Sequence, residues 1–195
     1  MNSIRRRSLD SLMWSFLLFL VGIGQWQPVS GAETAPKVGD IAADFELTSV
    51  TGDRIKLTEK LKQGSVVLVV LRGFPGYQCP VCNKQVGQFL QDADKFKAAG
   101  VQVLFVYPGP SKNLSERARE FIKDKTIPDH FHLLVDPDYQ FTNAYHLRWN
   151  AADETAYPST FVIAGDRKLS FVKISQTHGG RTKPDEVLEQ LKRKQ

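Results

Sequence analysis

Ser65 to Leu71 (SVVLVVL) is apolar at every position after the serine, the pattern of a strand covered on both faces of a sheet. Val101 to Tyr107 has the same character and predicts a second buried strand. Between them Val86, Phe89, Leu90, Ala93 and Phe96 recur at three- and four-residue spacings. That period predicts one helix from Cys79 to about Ala99, stopped by Gly100. A second helix is expected over Leu114 to Lys123, a weak strand over His132 to Val135, and a short helical stretch over Thr142 to His146. Phe45-Glu46-Leu47 and Ile55-Lys56-Leu57 alternate about Thr51-Gly52-Asp53 and predict an opening hairpin. Ser159 to Ala164 and Leu169 to Ile174 read as an antiparallel pair joined at Gly165-Asp166, and Pro184 to Arg193 as a closing helix. Strand-helix-strand-helix, then a hairpin and a last helix, specifies an α/β sandwich with a mixed sheet.

One apolar run stands outside this scheme. Leu12 to Ile23 follows Arg5-Arg6-Arg7 and precedes Ser30-Gly31-Ala32, the basic, apolar and small-residue order of a secretory signal. Cleavage is expected after Ala32. The run falls short of the about 20 residues a membrane span needs; an uncleaved anchor is the alternative, and only then would the chain meet a membrane. Ser8 and Asp10 stand where a twin-arginine signal would carry apolar residues, which argues against that export route. Residues 1–32 thus form the signal, 33–37 a polar linker and 38–195 a single domain, which 42% hydrophobic content suits. The site of action is extracytoplasmic, most simply a bacterial periplasm.

Charge narrows the class. The net +5 of the whole chain includes three arginines and one aspartate within residues 1–32, so the exported part carries +3. Its basic residues are interleaved with acids except at Lys192-Arg193-Lys194. A nucleic-acid surface needs a concentrated basic stripe, so that class is set aside.

The chain has two cysteines, Cys79 and Cys82. As a staple this pair would close a very small ring, contributing roughly 2 kcal/mol where a 15-residue loop contributes about 3. Reactivity explains it better. Pro80 fits the first helical position, which makes Cys79 the N-cap and Cys82 the third helical residue. A thiolate at Cys79 can then accept the free amide hydrogens of Val81 and Cys82 and meet the positive helix end, both of which lower a thiol pKa. Cys82, one turn on, can displace a product from a mixed disulfide at Cys79. Zinc would need two more ligands; His130 and His132, beside the weak strand, are the nearest pair and carry no motif.

Pro158 opens the strand Ser159-Thr160-Phe161-Val162-Ile163, and after Tyr157 it is a candidate for a cis bond that would offer a backbone edge to substrate. Arg72 is either a cation beside the thiolates or a surface residue. His178 and Arg181, in Thr177-His178-Gly179-Gly180-Arg181, either line the rim or sit in solvent. Trp149 is expected to pack or to shield the cleft.

From Lys37 onward the chain resembles the alkyl hydroperoxide reductase/thiol-specific antioxidant family, the peroxiredoxin-like branch of the thioredoxin superfamily. The features that carry the resemblance are Val38-Gly39-Asp40 with Ala43-Asp44-Phe45, Leu71-Arg72-Gly73 with Cys79-Pro80-Val81-Cys82, and Pro158-Ser159-Thr160-Phe161-Val162-Ile163. The resemblance implies a thioredoxin-like fold with an added N-terminal hairpin. Pro75 and Cys82 fit the family's spacing of proline and peroxide-attacking cysteine, while Cys79 occupies the place of its Thr or Ser. The arginine that holds the peroxide in that family falls at about Pro158.

Three readings follow. In a thiol–disulfide oxidoreductase Cys79 attacks and Cys82 resolves, with a thioredoxin-like electron donor or a protein disulfide as partner and no bound cofactor. In a peroxidase Cys82 is oxidised by peroxide to a sulfenic acid and Cys79 condenses with it. In a copper-binding module Cys79, Cys82 and His178 serve as ligands, since soft thiolates suit Cu(I).

Overall fold

The computed structural model describes residues 34–193; the expected leader and its cleavage site lie outside them. Within the described residues no helix is long and apolar enough to cross a membrane. Ser159's strand and its neighbours form one seven-stranded mixed sheet. The strands are β1 (Glu46–Ser49), β2 (Arg54–Lys56), β3 (Val66–Val70), β4 (Gln102–Gly109), β5 (Phe131–Pro137), β6 (Ser159–Ile163) and β7 (Leu169–Ile174), in the spatial order β2-β1-β5-β4-β3-β6-β7. β3, β4 and β5 run parallel, and every other pairing is antiparallel. The expected mixed α/β sandwich is therefore present.

The unbroken apolar run has a plain cause. Val67, Val69 and Leu71 enter one core with helix α2 (Pro80–Gln91), α3 (Ala93–Ala98), α4 (Leu114–Ile122) and α6 (Pro184–Lys192). Val66, Leu68 and Val70 enter the opposite core with α1 (Leu57–Leu61) and α5 (Gln140–Ala144). A strand buried on both faces leaves no position for a polar residue.

Four local expectations change. The single helix to Ala99 is two helices, broken at Asp92 (φ −100°, ψ 16°). Asp92 is a poor helix former; its carbonyl accepts from Lys95 and Phe96, and its carboxylate pairs with Lys95 at 2.7 Å. The apolar stripe survives the break, and the Phe89 and Phe96 rings stack at 5.4 Å. Leu57, expected in the second strand of the hairpin, instead opens α1 and is fully buried. The weak strand is a seven-residue inner strand, β5, lying between β1 and β4. The short helix begins two residues early, at Gln140, because the buried Asp136 carboxylate accepts the amides of Phe141 (2.8 Å) and Thr142 (3.0 Å).

The cis bond at Pro158 is not found, since the described residues hold no cis peptide. Hydrogen bonding also closes this edge. The Pro158 carbonyl accepts from the Ser175 amide at 2.9 Å, the Tyr157 amide donates to Leu147, and the Tyr157 carbonyl takes the Ser159 hydroxyl.

Candidate active site

β3 delivers the chain to the carboxyl end of the parallel strands, where a loop leads into α2. Gly73 makes this exit possible. Its φ is +71°, and a Cβ there would stand 1.9 Å from the Pro108 carbonyl oxygen. That carbonyl accepts the Phe74 amide at 2.9 Å and ties the loop to β4. Pro75 lies half-buried on the same loop, and Tyr77 is 50% exposed.

Cys79 is the N-cap of α2, with extended backbone (φ −75°, ψ 111°) and Pro80 in the first turn. Its sulfur accepts the Cys82 amide at 3.3 Å, and its carbonyl accepts from Asn83. The amide it takes is that of Cys82, one of the two expected. Both cysteines are free thiols.

The two sulfurs differ in electrostatics far more than in access. Cys79 is only 3% exposed and Cys82 is fully enclosed, and both sulfurs belong to the core beneath α2. The Cys79 thiol is brought down to about 6, chiefly by the hydrogen bond from the Cys82 side chain. The Cys82 amide and the positive charges of Arg181 and Arg72 add to this, against the opposing effect of burial. The Cys82 thiol moves the other way, because burial penalises its charge and its proton is engaged with Cys79. Two like groups in contact thus divide into a thiolate and a thiol.

Arg72 is not a surface residue. It is 3% exposed and makes three contacts of 2.6 Å: Nε to a Glu154 carboxylate oxygen, Nη1 to the Tyr77 hydroxyl and Nη2 to the Asp153 carbonyl. The other Glu154 oxygen meets His178 Nε2 at 2.6 Å. The Trp149 ring stacks on Tyr157 at 5.0 Å and stands 5.2 Å from the His178 ring. Trp149 therefore packs, and His178 serves the ion pair. Arg181 lies at the site as well: its Nη2 is 3.9 Å from the Cys79 sulfur, and its Nη1 takes Gln85 Oε1 at 3.1 Å. The cation that the family pattern would put near Pro158 is replaced here by two arginines arriving from other segments.

His130 and His132 are elsewhere. They lie at the start of β5, the end of the parallel strands opposite the cysteines. The His130 ring contacts the Ala93 carbonyl, and burial first, then Lys60, brings His132 down to about 4. Among the described residues no group of three or more His, Cys, Asp and Glu is placed to hold a metal ion.

Three contributors escaped the sequence reading: Glu154, Tyr77 and Gln85. Glu154 and Tyr77 had no local signal. Gln85 did, since it shares the buried stripe of α2 with Cys82, Val86 and Phe89. A polar residue in such a stripe needs a partner.

Residues 38–172 match the family model described as the AhpC/TSA family. The chain belongs to this family. Peroxiredoxin Bcp of Escherichia coli (strain K12) is 30% identical over 142 residues, covering 70% of this chain and 84% of that protein. Thiol-disulfide oxidoreductase ResA of Bacillus subtilis (strain 168) is 25% identical over 169 residues, covering 87% of this chain and 85% of its own length. Among solved structures, peroxidoxin BcpB from Mycobacterium tuberculosis superposes with a TM-score of 0.63 at 25% identity, over 82% of this chain and 98% of its own. The fold is thioredoxin-like and the protein is an oxidoreductase, as its two kinds of relative both are.

Proposed function

We propose that this AhpC/TSA-family protein is an exported thiol–disulfide oxidoreductase in which Cys79 attacks and Cys82 resolves. The observation that carries the reading is the placing of Cys79 as the N-cap of α2, its sulfur accepting the Cys82 amide at 3.3 Å, which agrees with a Cys79 thiol brought down and a Cys82 thiol pushed up. The Cys79 thiolate attacks a substrate disulfide, forms a mixed disulfide and expels one substrate thiolate. Cys82 gives up its proton, attacks the Cys79 sulfur and releases the second thiolate. The substrate gains two electrons, and the protein leaves with a Cys79–Cys82 disulfide that a thioredoxin-like donor re-reduces. Export rests on the leader at 1–32 with cleavage after Ala32, followed by a linker to residue 37 and the domain from 38.

Peroxidase chemistry is the second reading, favoured by the likeness to a peroxiredoxin and by the cations beside the pair. There a thiolate attacks the peroxide oxygen, alkoxide or hydroxide leaves, and the second thiol displaces water from the sulfenic acid. Copper binding has less support, because His178 is engaged with Glu154 rather than turned to the sulfurs.

Steady-state turnover separates the two redox readings. With a thioredoxin-type donor, the protein is expected to reduce a protein disulfide catalytically while consuming hydrogen peroxide no faster than an ordinary free cysteine. Rapid peroxide consumption with no disulfide turnover would reverse the assignment.

A further inference from the structure

Arg72 and Arg181 both act on Cys79, yet their charges are balanced differently. Arg72 is enclosed, and the carboxylate, hydroxyl and carbonyl described above occupy all three of its nitrogens. Arg181 is half-buried, and no carboxylate pairs with it among the described residues. Its Nε donates to the His178 carbonyl at 2.9 Å and its Nη1 to Gln85. Its Nη2 stands 3.9 Å from the Cys79 sulfur. Of the five N–H groups a guanidinium carries, two have no partner among the described residues.

The arginine is also held firmly. Gln85 is 4% exposed and grips the loop twice, accepting from Arg181 and donating its Nε2 to the Thr182 carbonyl at 3.3 Å. Before Arg181 the chain turns at Gly180 (φ +65°), and the Ser175 hydroxyl gathers the carbonyls of Thr177 and Gly179. This loop and α2 fix the cation over the nucleophile.

That arrangement has a consequence within the reaction. Once Cys79 has formed a mixed disulfide its sulfur is neutral, and Arg181 loses the charge that faced it. A half-buried cation with free donors then favours any anion the substrate brings. We infer that Arg181, oriented by Gln85, forms an anion-accepting subsite beside Cys79, which selects disulfides bearing a carboxylate next to the reacting sulfur. The inference rests on the thiol–disulfide reading. The subsite changes no electron count: it holds the substrate carboxylate during attack and stabilises the departing thiolate.

The test uses three small disulfides with the reduced protein, well above the Cys79 midpoint so that thiolate population cancels. They are 5,5′-dithiobis(2-nitrobenzoate), which is dianionic, uncharged 4,4′-dithiodipyridine and dicationic cystamine. Arg181→Gln is expected to slow the dianionic probe about tenfold more than the uncharged one, the size of one charge-assisted hydrogen bond, and to relieve the discrimination against cystamine. Arg181→Lys is expected to restore part of the preference, and added salt to erase it in the wild type while leaving Arg181→Gln unmoved. An arginine that only braces the loop or tunes the thiolate would slow all three probes alike, and equal slowing overturns the inference. Failure of the wild type to react with any of the three overturns the thiol–disulfide reading itself, and the subsite with it. Gln85→Leu, which frees the arginine without removing it, is expected to shrink the preference in the same direction.

Discussion

Replacing Cys79 with serine is expected to lower turnover with a disulfide substrate by on the order of a thousandfold or more, because the thiolate is the nucleophile and a hydroxyl at the same place stays protonated. Replacing Cys82 with serine is expected to give a different failure. The N-cap amide, the helix end and both arginines still stabilise Cys79, so the first attack survives. Nothing then releases the product, and the protein stops after one event as a stable mixed disulfide. Intact mass spectrometry shows this as one substrate adduct per chain for Cys82→Ser and none for Cys79→Ser. Serine keeps a hydroxyl donor where the Cys82 thiol stood, so the side-chain hydrogen bond that contributes most to the low Cys79 value is expected to persist and the thiolate midpoint to stay depressed. An adduct on Cys79→Ser but not on Cys82→Ser would exchange the two roles.

The largest stability effect is expected at Glu154. Its carboxylate and the Arg72 guanidinium are 10% and 4% exposed and 2.6 Å apart. Glu154→Ala leaves a buried cation without its counter-charge, which costs about 3–5 kcal/mol. For a domain of this size that lowers the melting temperature by on the order of 10 °C. Surface pairs such as Lys62–Glu59, with side chains 70% and 60% exposed, are expected to contribute little when removed. The acid dependence has a definite sign. Burial works against ionisation of Glu154, but hydrogen bonds from Arg72 and His178 outweigh it and hold the carboxyl below its ordinary value. Such a group contributes stability that is present above the ordinary carboxylate pKa and is lost as pH falls through the folded-state value. The gap between wild type and Glu154→Ala should therefore narrow in acid. Arg72 keeps its charge in the variant and loses its partner, so the Cys79 midpoint should not rise. Thermal scans that give equal melting temperatures near neutral pH would show the ion pair to be dispensable.

What the sequence disclosed follows from the range over which each signal acts. SVVLVVL announces a strand buried on both faces because the alternation is erased locally. Cys79-Pro80-Val81-Cys82 announces an N-cap sulfur because proline and capping act within one turn. The partners of that sulfur were not legible in the same way. Arg72 meets Glu154 across 82 residues, and Arg181 meets Cys79 across 102. Only the folded sheet brings those segments together. The break at Asp92 escaped because the apolar spacing runs through it unchanged. β5 read as weak because its first residues include His132, a polar side chain on a strand that the sheet nevertheless buries from Leu133 to Asp136.

The most direct test of the account is the pH dependence of alkylation of the reduced protein, with the modified cysteine located by peptide mass spectrometry. The structure predicts modification at Cys79 with a midpoint of about 6, and none at Cys82 while the fold is intact. Both cysteines reacting together near about 8.5, the value of an ordinary thiol, or Cys82 reacting first, would contradict it.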